Sequence, residues 1–146
     1  MEFRGKRGSV LGTNARVLLV EDSKFLRIAN ERILARAGFD VSTAEDGEEA
    51  LRVANDRLPD VILLDMLIPK ISGPDVLRAL KQNPATLHIP VIVLSGLSQR
   101  NEEKLLKEGA AAYFEKGALD LENHSDRLVT AVQAVLTRMT PRRSKK

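Results

Sequence analysis

Three carboxylates directly follow short apolar runs of the sequence, where they could bind a cation or attack phosphorus. Glu21 and Asp22 follow the first run, and Asp65 follows the third, which is apolar at every position. Carboxylate oxygens suit Mg²⁺, which prefers hard oxygen ligands. A carboxylate can also act as a nucleophile and form an aspartyl phosphate. An isolated Asp after a strand more often caps a turn or helix, so a chemical role depends on the residues beside it.

A hydroxyl and an ammonium group follow two later apolar runs. Ser95 ends the fourth run, and Lys116 follows the fifth. Phosphoryl transfer requires mainly positioning and charge neutralisation, and a metal ion with Lys116 and Ser95 would supply both around Asp65. Simpler explanations remain. Ser95 could be a turn hydroxyl, and Lys116 could be a solvated lysine in a loop. Glu21 and Asp22 could simply begin a helix, where acidic residues suit the helix dipole.

Five strand-then-helix units account for the chain between about residues 16 and 139. We predict strands at 16–20, 39–44, 61–65, 89–94 and 110–114, and helices at 24–37, 46–55, 74–82, 100–108 and 121–139. Ser23 or Asp22 would cap the first helix, and Gly38 would follow its end.

This alternation predicts an α/β fold, a doubly wound parallel sheet with helices on both faces. In the flavodoxin-like strand order 2-1-3-4-5, the switch point lies between strands one and three. Glu21, Asp22 and Asp65 would face one another there.

The composition indicates one soluble domain without cysteine chemistry. The chain has 146 residues and no cysteine, which excludes disulfides, thiolate nucleophiles and cysteine-ligated metal centres. No apolar run approaches the ~20 residues of a membrane span, and no secretory signal is evident, so we expect a cytoplasmic protein.

The net charge of +3 belongs to the ends of the chain. Residues 1–15 and 141–146 hold seven of the 23 basic residues and one of the 20 acidic residues. The sequence therefore predicts a flexible basic lead-in at 1–15, a folded domain at 16–139 and a basic tail at 140–146. A basic tail can bind nucleic acid, but short ones are usually solvated ends, and the 3% aromatic content offers little for base stacking.

At these positions the chain resembles the receiver domain of bacterial response regulators, the chemotaxis-regulator-like switches of two-component signalling. The matching pieces, in the family's order, are Leu18-Leu19-Val20-Glu21-Asp22-Ser23, Leu64-Asp65-Met66-Leu67-Ile68-Pro69 with Gly73, Val93-Leu94-Ser95-Gly96 and Tyr113-Phe114-Glu115-Lys116. The resemblance covers about residues 15–140. It implies a (βα)₅ fold and a phosphorylation-dependent signalling switch, not an enzyme acting on other substrates.

The resemblance also implies roles for individual residues. Asp65 would accept a phosphoryl group from a histidine kinase or phosphotransfer protein. Asp22, Asp65 and the backbone carbonyl of Leu67 would bind Mg²⁺, and Glu21 would do so largely through water. Ser95 and Lys116 would contact the phosphoryl oxygens. Tyr113 would be the switch aromatic, although it could also simply fill the core.

Partners follow from the same resemblance. The signalling surface would be the fourth helix, fifth strand and fifth helix, where a downstream protein or a second copy of the chain could bind. Either the chain is a free-standing receiver, or it is a fragment of a longer regulator or hybrid kinase. His88 and His124 are expected to be surface or loop residues.

Two features depart from the family pattern. Gly117 follows Lys116 where the family usually has Pro, so this loop could hold Lys116 less firmly. The positions two residues beyond Asp65 and Ser95 are Leu67 and Leu97, which could shield a phosphoryl group from water.

Other functional classes remain as alternatives. A Mg²⁺-dependent phosphatase with an aspartyl nucleophile, of the haloacid dehalogenase type, would carry a second Asp at the position of Leu67. If the chain were a nucleic-acid-binding protein, the binding would depend on its basic tails alone. A receiver that no longer accepts phosphate would be expected to lack part of the acidic pocket, and all of it is present.

Overall fold

A computed structural model describes residues 14–96, 100–115 and 124–139, and it shows a five-stranded parallel sheet. The strands are β1 (Arg16–Val20), β2 (Asp40–Ala44), β3 (Val61–Asp65), β4 (Val91–Ser95) and β5 (Ala112–Glu115). The helices are α1 (Lys24–Arg36), α2 (Gly47–Arg57), α3 (Gly73–Gln82), α4 (Arg100–Lys107) and α5 (His124–Met139). The strand order is β2-β1-β3-β4-β5. The predicted flavodoxin-like fold and its strand order are confirmed.

The central strands are buried on both faces. Every residue of β3 and β4 is buried, as are four of the five residues of β1. Such strands lack the alternation of polar and apolar residues, since helices cover both faces of a parallel sheet. The unbroken apolar runs of the sequence therefore mark the middle of the sheet.

Two separate core layers lie on the two faces of the sheet. On one face, side chains of α2, α3 and α4 pack against the strands, including Ala54, Leu77 and Leu105. On the other face, α1 and α5 contribute Leu34 and Val132. This arrangement is the doubly wound one that right-handed crossovers produce.

Side-chain caps fix where three helices begin. Ser23, Asp46 and Ser72 are the N-caps of α1, α2 and α3, and each side chain accepts a hydrogen bond from the backbone N–H three residues later. Such caps satisfy N–H groups that lack partners within the helix. Gly38 follows α1 with a φ of 102°, the left-handed conformation that glycine adopts at little cost.

The predicted starts of β4 and β5 were too early by two residues. Before β4, the N–H of Ile89 donates to the carbonyl of Thr86 in a turn, and Pro90 has no N–H to donate to a sheet. Before β5, the N–H of Ala110 donates to the carbonyl of Leu105 at the end of α4. These N–H groups are already used, so the strands begin at Val91 and Ala112.

The first turn of α1 exposes large apolar side chains. Phe25 has helical spacing with the core residues of α1, yet it is 77% exposed, and Ile28 is also exposed. The buried residues of this helix are Asn30 and Leu34. The apolar face is therefore buried only in the second half of α1.

The ends of the chain lie largely outside the described residues. These omit 1–13 and 140–146 as well as 121–123, where we predicted the start of α5. The predicted boundaries of the lead-in and the tail stay predictions. Among the helices in the described ranges, none is long and apolar enough to cross a membrane.

Lys81 ties α3 to the loop before β4 and provides a test of the fold. Its Nζ donates to the carbonyls of Leu87 and Ile89, at 3.0 and 2.8 Å. Burial lowers the pKa of Lys81 below 10.5. Just below pH 10.5 the unfolded chain therefore binds more protons at this site than the folded chain, so folding becomes more favourable as pH rises there.

We expect the free energy of unfolding of the wild type, relative to a Lys81→Met variant, to increase as the pH approaches 10.5. Urea unfolding at several alkaline pH values measures this difference. Lys107→Met, which alters a side chain that is 76% exposed, is the matched control and should show no such trend. An equal pH trend in both variants would contradict the assignment.

Candidate functional site

The carboxyl ends of the strands bring the predicted acidic residues to one edge of the sheet. Val20 of β1 is paired with Leu64 of β3, and Glu21 and Asp65 directly follow these two residues. Neighbouring strands lie about 4.8 Å apart, so Glu21 and Asp65 are adjacent positions across the sheet. Asp22 comes one residue later, in the turn that leads to α1.

Ser95 lies on the other side of Asp65. Asp65 is paired with Leu94 in β4, and Ser95 directly follows Leu94 and is buried. Ser95 is in turn paired with Glu115 of β5. Lys116, the residue after Glu115, lies outside the described residues, as do Leu97 and Gly117, so their predicted roles stay predictions.

Two of the three carboxylates are removed from water. Glu21 is 1% exposed and Asp65 is also buried, whereas Asp22 is exposed. Glu21 Oε2 accepts a hydrogen bond from the N–H of Ser23 at 3.1 Å. Asp65 Oδ1 accepts one from the N–H of Leu67 at 3.1 Å. Burying carboxylates at neighbouring positions is costly unless a cation balances their charge, and hard oxygen donors such as these fit Mg²⁺.

The loop after Asp65 is held against the start of α2. The N–H of Gly47 donates to the carbonyl of Pro69 at 3.1 Å. Lys70 lies 3.7 Å from Asp46 and 3.8 Å from Glu48. The lysine has a φ of 73°, a conformation that L residues seldom adopt, so these contacts stabilise an unusual turn.

Gly73 provides a second constraint on the same loop. A Cβ at this position would lie 2.5 Å from the Cα of Met66 and 2.9 Å from the carbonyl oxygen of Asp65. The start of α3 therefore packs directly on the backbone of Asp65 and Met66. In the sequence, Gly73 stood out only as part of the family match.

Arg27 joins the acidic turn to the end of β2. Its Nη1 donates to the carbonyl of Glu21 at 2.9 Å and lies 3.4 Å from the carbonyl of Asp22. Its Nη2 lies 3.7 Å from Glu45 Oε1. Arg27 is not among the residues predicted from the sequence, although an arginine one turn into α1 after an acidic pair is a signal that could have suggested it.

Within the described ranges, a group of three acidic side chains with ligand oxygens within 4.8 Å of one another occurs at Glu45, Asp46 and Glu49. The predicted magnesium ligands are not part of it. Asp46 accepts the N–H of Glu49, and Glu49 accepts the N–H of Glu45. These two hydrogen bonds satisfy backbone N–H groups at the start of α2, and Lys70 and Arg52 balance the charge of the group. We therefore interpret the group as the cap of α2.

The remaining predicted residues occupy the following places. Tyr113 is half-buried and packs against the core layer of α2, α3 and α4, and it is paired with Val93 of β4. Leu67 is 65% exposed. His88 is exposed, as predicted, while the side chain of His124 lies outside the described part.

Comparisons with known proteins identify the family of the chain. The family model of the response regulator receiver domain matches residues 17–133. The gliding motility regulatory protein of Myxococcus xanthus is 42% identical over 108 residues, covering 73% of this chain and 14% of that protein. The phosphate regulon transcriptional regulatory protein PhoB of Rhizobium meliloti is 33% identical over 127 residues. That match covers 86% of this chain and 54% of PhoB. This chain thus spans about half or less of the length of these relatives.

Solved structures show the same fold. The receiver domain of the Francisella response regulator 1452 superposes with a TM-score of 0.77 at 30% identity, covering 87% of this chain and all of that one. The signal receiver domain of a putative Luxo repressor protein from Vibrio parahaemolyticus also superposes with a TM-score of 0.77, at 32% identity. The match covers 86% of this chain and 92% of that one. The chain belongs to the response regulator receiver domain family.

Proposed function

We propose that this domain is a phosphorylation-dependent switch in which Asp65 accepts a phosphoryl group with the help of Mg²⁺. The observation that carries the proposal is the position of Asp65. It is a buried carboxylate at the end of the central strand, with Glu21 on one neighbouring strand and Ser95 on the other. The family membership of the chain supports the same reading.

The metal would be bound by Asp22, Asp65 and the backbone carbonyl of Leu67, with Glu21 acting largely through water. Mg²⁺ usually keeps several waters and binds one or two carboxylates directly. An exposed Asp22 beside two buried carboxylates suits such a partly hydrated ion. When bound, the ion would neutralise charge on the phosphoryl oxygens.

The protein residues would divide the remaining tasks. The Leu67 N–H holds Asp65 Oδ1, which orients the carboxylate for attack. Ser95 and Lys116 would contact the phosphoryl oxygens. Tyr113, two residues before Glu115 in β5, would respond to the movement of Ser95 and alter the surface formed by α4, β5 and α5.

The partners are proposed at the level of class. The donor would be the phosphohistidine of a histidine kinase or phosphotransfer protein, in the cytoplasm. The receiver would act on a downstream protein, on an output domain of a longer regulator, or on a second copy through the α4, β5 and α5 surface. The aspartyl phosphatase alternative gains no support, because an exposed Leu67 occupies the place of its general acid.

Incubation with acetyl phosphate tests the proposal. We expect the intact mass of the wild-type chain to increase by one phosphate in the presence of Mg²⁺, because the metal balances the charge that gathers at Asp65. The mass should stay unchanged when the metal is chelated. Continuous hydrolysis of phosphate esters without a stable adduct would favour the phosphatase, and no reaction in Mg²⁺ would overturn the switch.

A further inference from the structure

We infer that Arg27 is a positioning residue for the magnesium site, acting through the backbone of Glu21 and Asp22. This inference deepens the proposed function and depends on it. Arg27 lies on α1, one turn beyond the N-cap Ser23. Its side chain is only 16% exposed, although arginine is usually a surface residue.

The contacts of Arg27 are directed at the turn that carries the acidic pair. The strongest is the 2.9 Å hydrogen bond from Nη1 to the carbonyl of Glu21, in a partly buried position. The carbonyl of Asp22 lies 3.4 Å from the same nitrogen. A planar guanidinium that donates to the carbonyls of consecutive residues restricts the peptide between them, and so limits where both carboxylates can point.

The turn has a second constraint that acts with Arg27. The N–H of Ser23 donates to Glu21 Oε2, which turns the Glu21 side chain back over its own turn. The N–H of Glu21 donates to the carbonyl of Ala44 in β2. The backbone N–H of Arg27 donates to the carbonyl of Ser23 as in any α-helix, so the positioning role belongs to the guanidinium alone.

Arg27 also connects this turn to the loop of Asp65. Its Nη2 lies near Glu45, whose N–H donates to Glu49 in the cap of α2. The same cap contacts Lys70 through Asp46, and Gly47 binds the carbonyl of Pro69. This path includes the long, exposed ion pair of Arg27 with Glu45, so it adds little to the two backbone contacts by which Arg27 holds the acidic turn.

Two physical roles for Arg27 predict opposite results, and this makes the inference testable. If Arg27 acted only as a nearby positive charge, it would repel Mg²⁺, and its removal would strengthen binding. If it positions the turn, its removal weakens binding. Lysine keeps the charge but lacks the planar fork that can donate in two directions.

We expect Arg27→Lys and Arg27→Met each to weaken Mg²⁺ binding about tenfold, measured by titration calorimetry. This is the lower end of the 10- to 100-fold loss that is typical when a residue supporting metal ligands is changed. Glu45→Gln should change the dissociation constant by less than about twofold, because exposed ion pairs contribute little. Arg32→Lys and Arg32→Met, on the exposed side of the same helix, are the matched controls.

A second measurement separates positioning from general destabilisation. In metal-free protein, the Ser23 amide should exchange with solvent about tenfold faster in both Arg27 variants, while the amides of buried β3 keep their protection. Equal loss of protection throughout the domain would overturn the positioning role.

The outcomes distinguish this inference from the proposed function. A wild type that binds no Mg²⁺ would overturn the proposed function and the metal role of Arg27 with it. Normal binding by the wild type together with unchanged or stronger binding by Arg27→Lys and Arg27→Met would overturn only the role of Arg27.

Discussion

An Asp65→Asn variant should gain no phosphate from acetyl phosphate, under conditions in which the wild type gains one. An amide has nearly the same size as a carboxyl group, but it lacks the nucleophilic oxygen that an aspartyl phosphate requires. Asp65 is buried at the end of a central strand, so the substitution changes charge with little change in packing. Intact mass spectrometry measures the result directly.

The same variant should also lose most of the stabilisation that Mg²⁺ gives to the folded state. A ligand present at 100 times its dissociation constant stabilises a protein by about 2.7 kcal/mol. We expect Mg²⁺ to stabilise the wild type by this amount and Asp65→Asn by only a small part of it. Thermal unfolding with and without Mg²⁺ measures the stabilisation in each.

Asp56→Asn is the matched control for this substitution. Asp56 lies on α2 with a side chain that is 61% exposed, and it pairs weakly with Arg52 at 3.8 Å. It should accept phosphate and bind Mg²⁺ as the wild type does. Phosphate gain at the wild-type rate in Asp65→Asn would show that another residue is the acceptor, and peptide mapping would locate it.

The central features of the fold could be predicted because they depend on short-range patterns. The unbroken apolar run that ends at Asp65 predicts a strand buried on both faces, and Gly38 predicts the end of α1. Once the strands are known to be parallel, their carboxyl ends must meet at one edge. That rule alone places Glu21, Asp65 and Ser95 together.

Other features depend on contacts between distant segments, which periodicity does not report. Phe25 has helical spacing with the core residues of α1, but spacing cannot show that its side chain is exposed. Arg27 contacts a carbonyl six residues away and a side chain of the next unit. The ion pair of Lys70 with Asp46, which joins the Asp65 loop to the cap of α2, is likewise a contact between distant segments.

Gly73→Ala should strongly destabilise the fold close to the proposed site. Its φ lies outside the left-handed region, so the requirement for glycine comes from space alone. The added Cβ would lie 2.5 Å from the Cα and 2.7 Å from the carbonyl oxygen of Met66. These are backbone atoms that cannot rotate away, so the start of α3 or the end of β3 must shift.

We expect Gly73→Ala to lower the free energy of unfolding by about 3 kcal/mol, the upper part of the range for overpacking. We also expect the rate of phosphate gain per folded molecule to fall, because the displaced backbone includes Asp65, and misplacement of reacting groups by about 1 Å can cost about a hundredfold in rate. Urea unfolding and time-resolved mass spectrometry measure the two effects.

Gly96→Ala provides the matched control, since a Cβ there meets nothing within 4 Å. Where the backbone conformation allows it, Gly→Ala usually stabilises by about 0.4–1 kcal/mol by restricting the unfolded chain. The two alanine variants should therefore change stability in opposite directions. Equal stabilities would mean that α3 can move away from Met66 without cost, and the close approach would then play no part in holding the Asp65 loop.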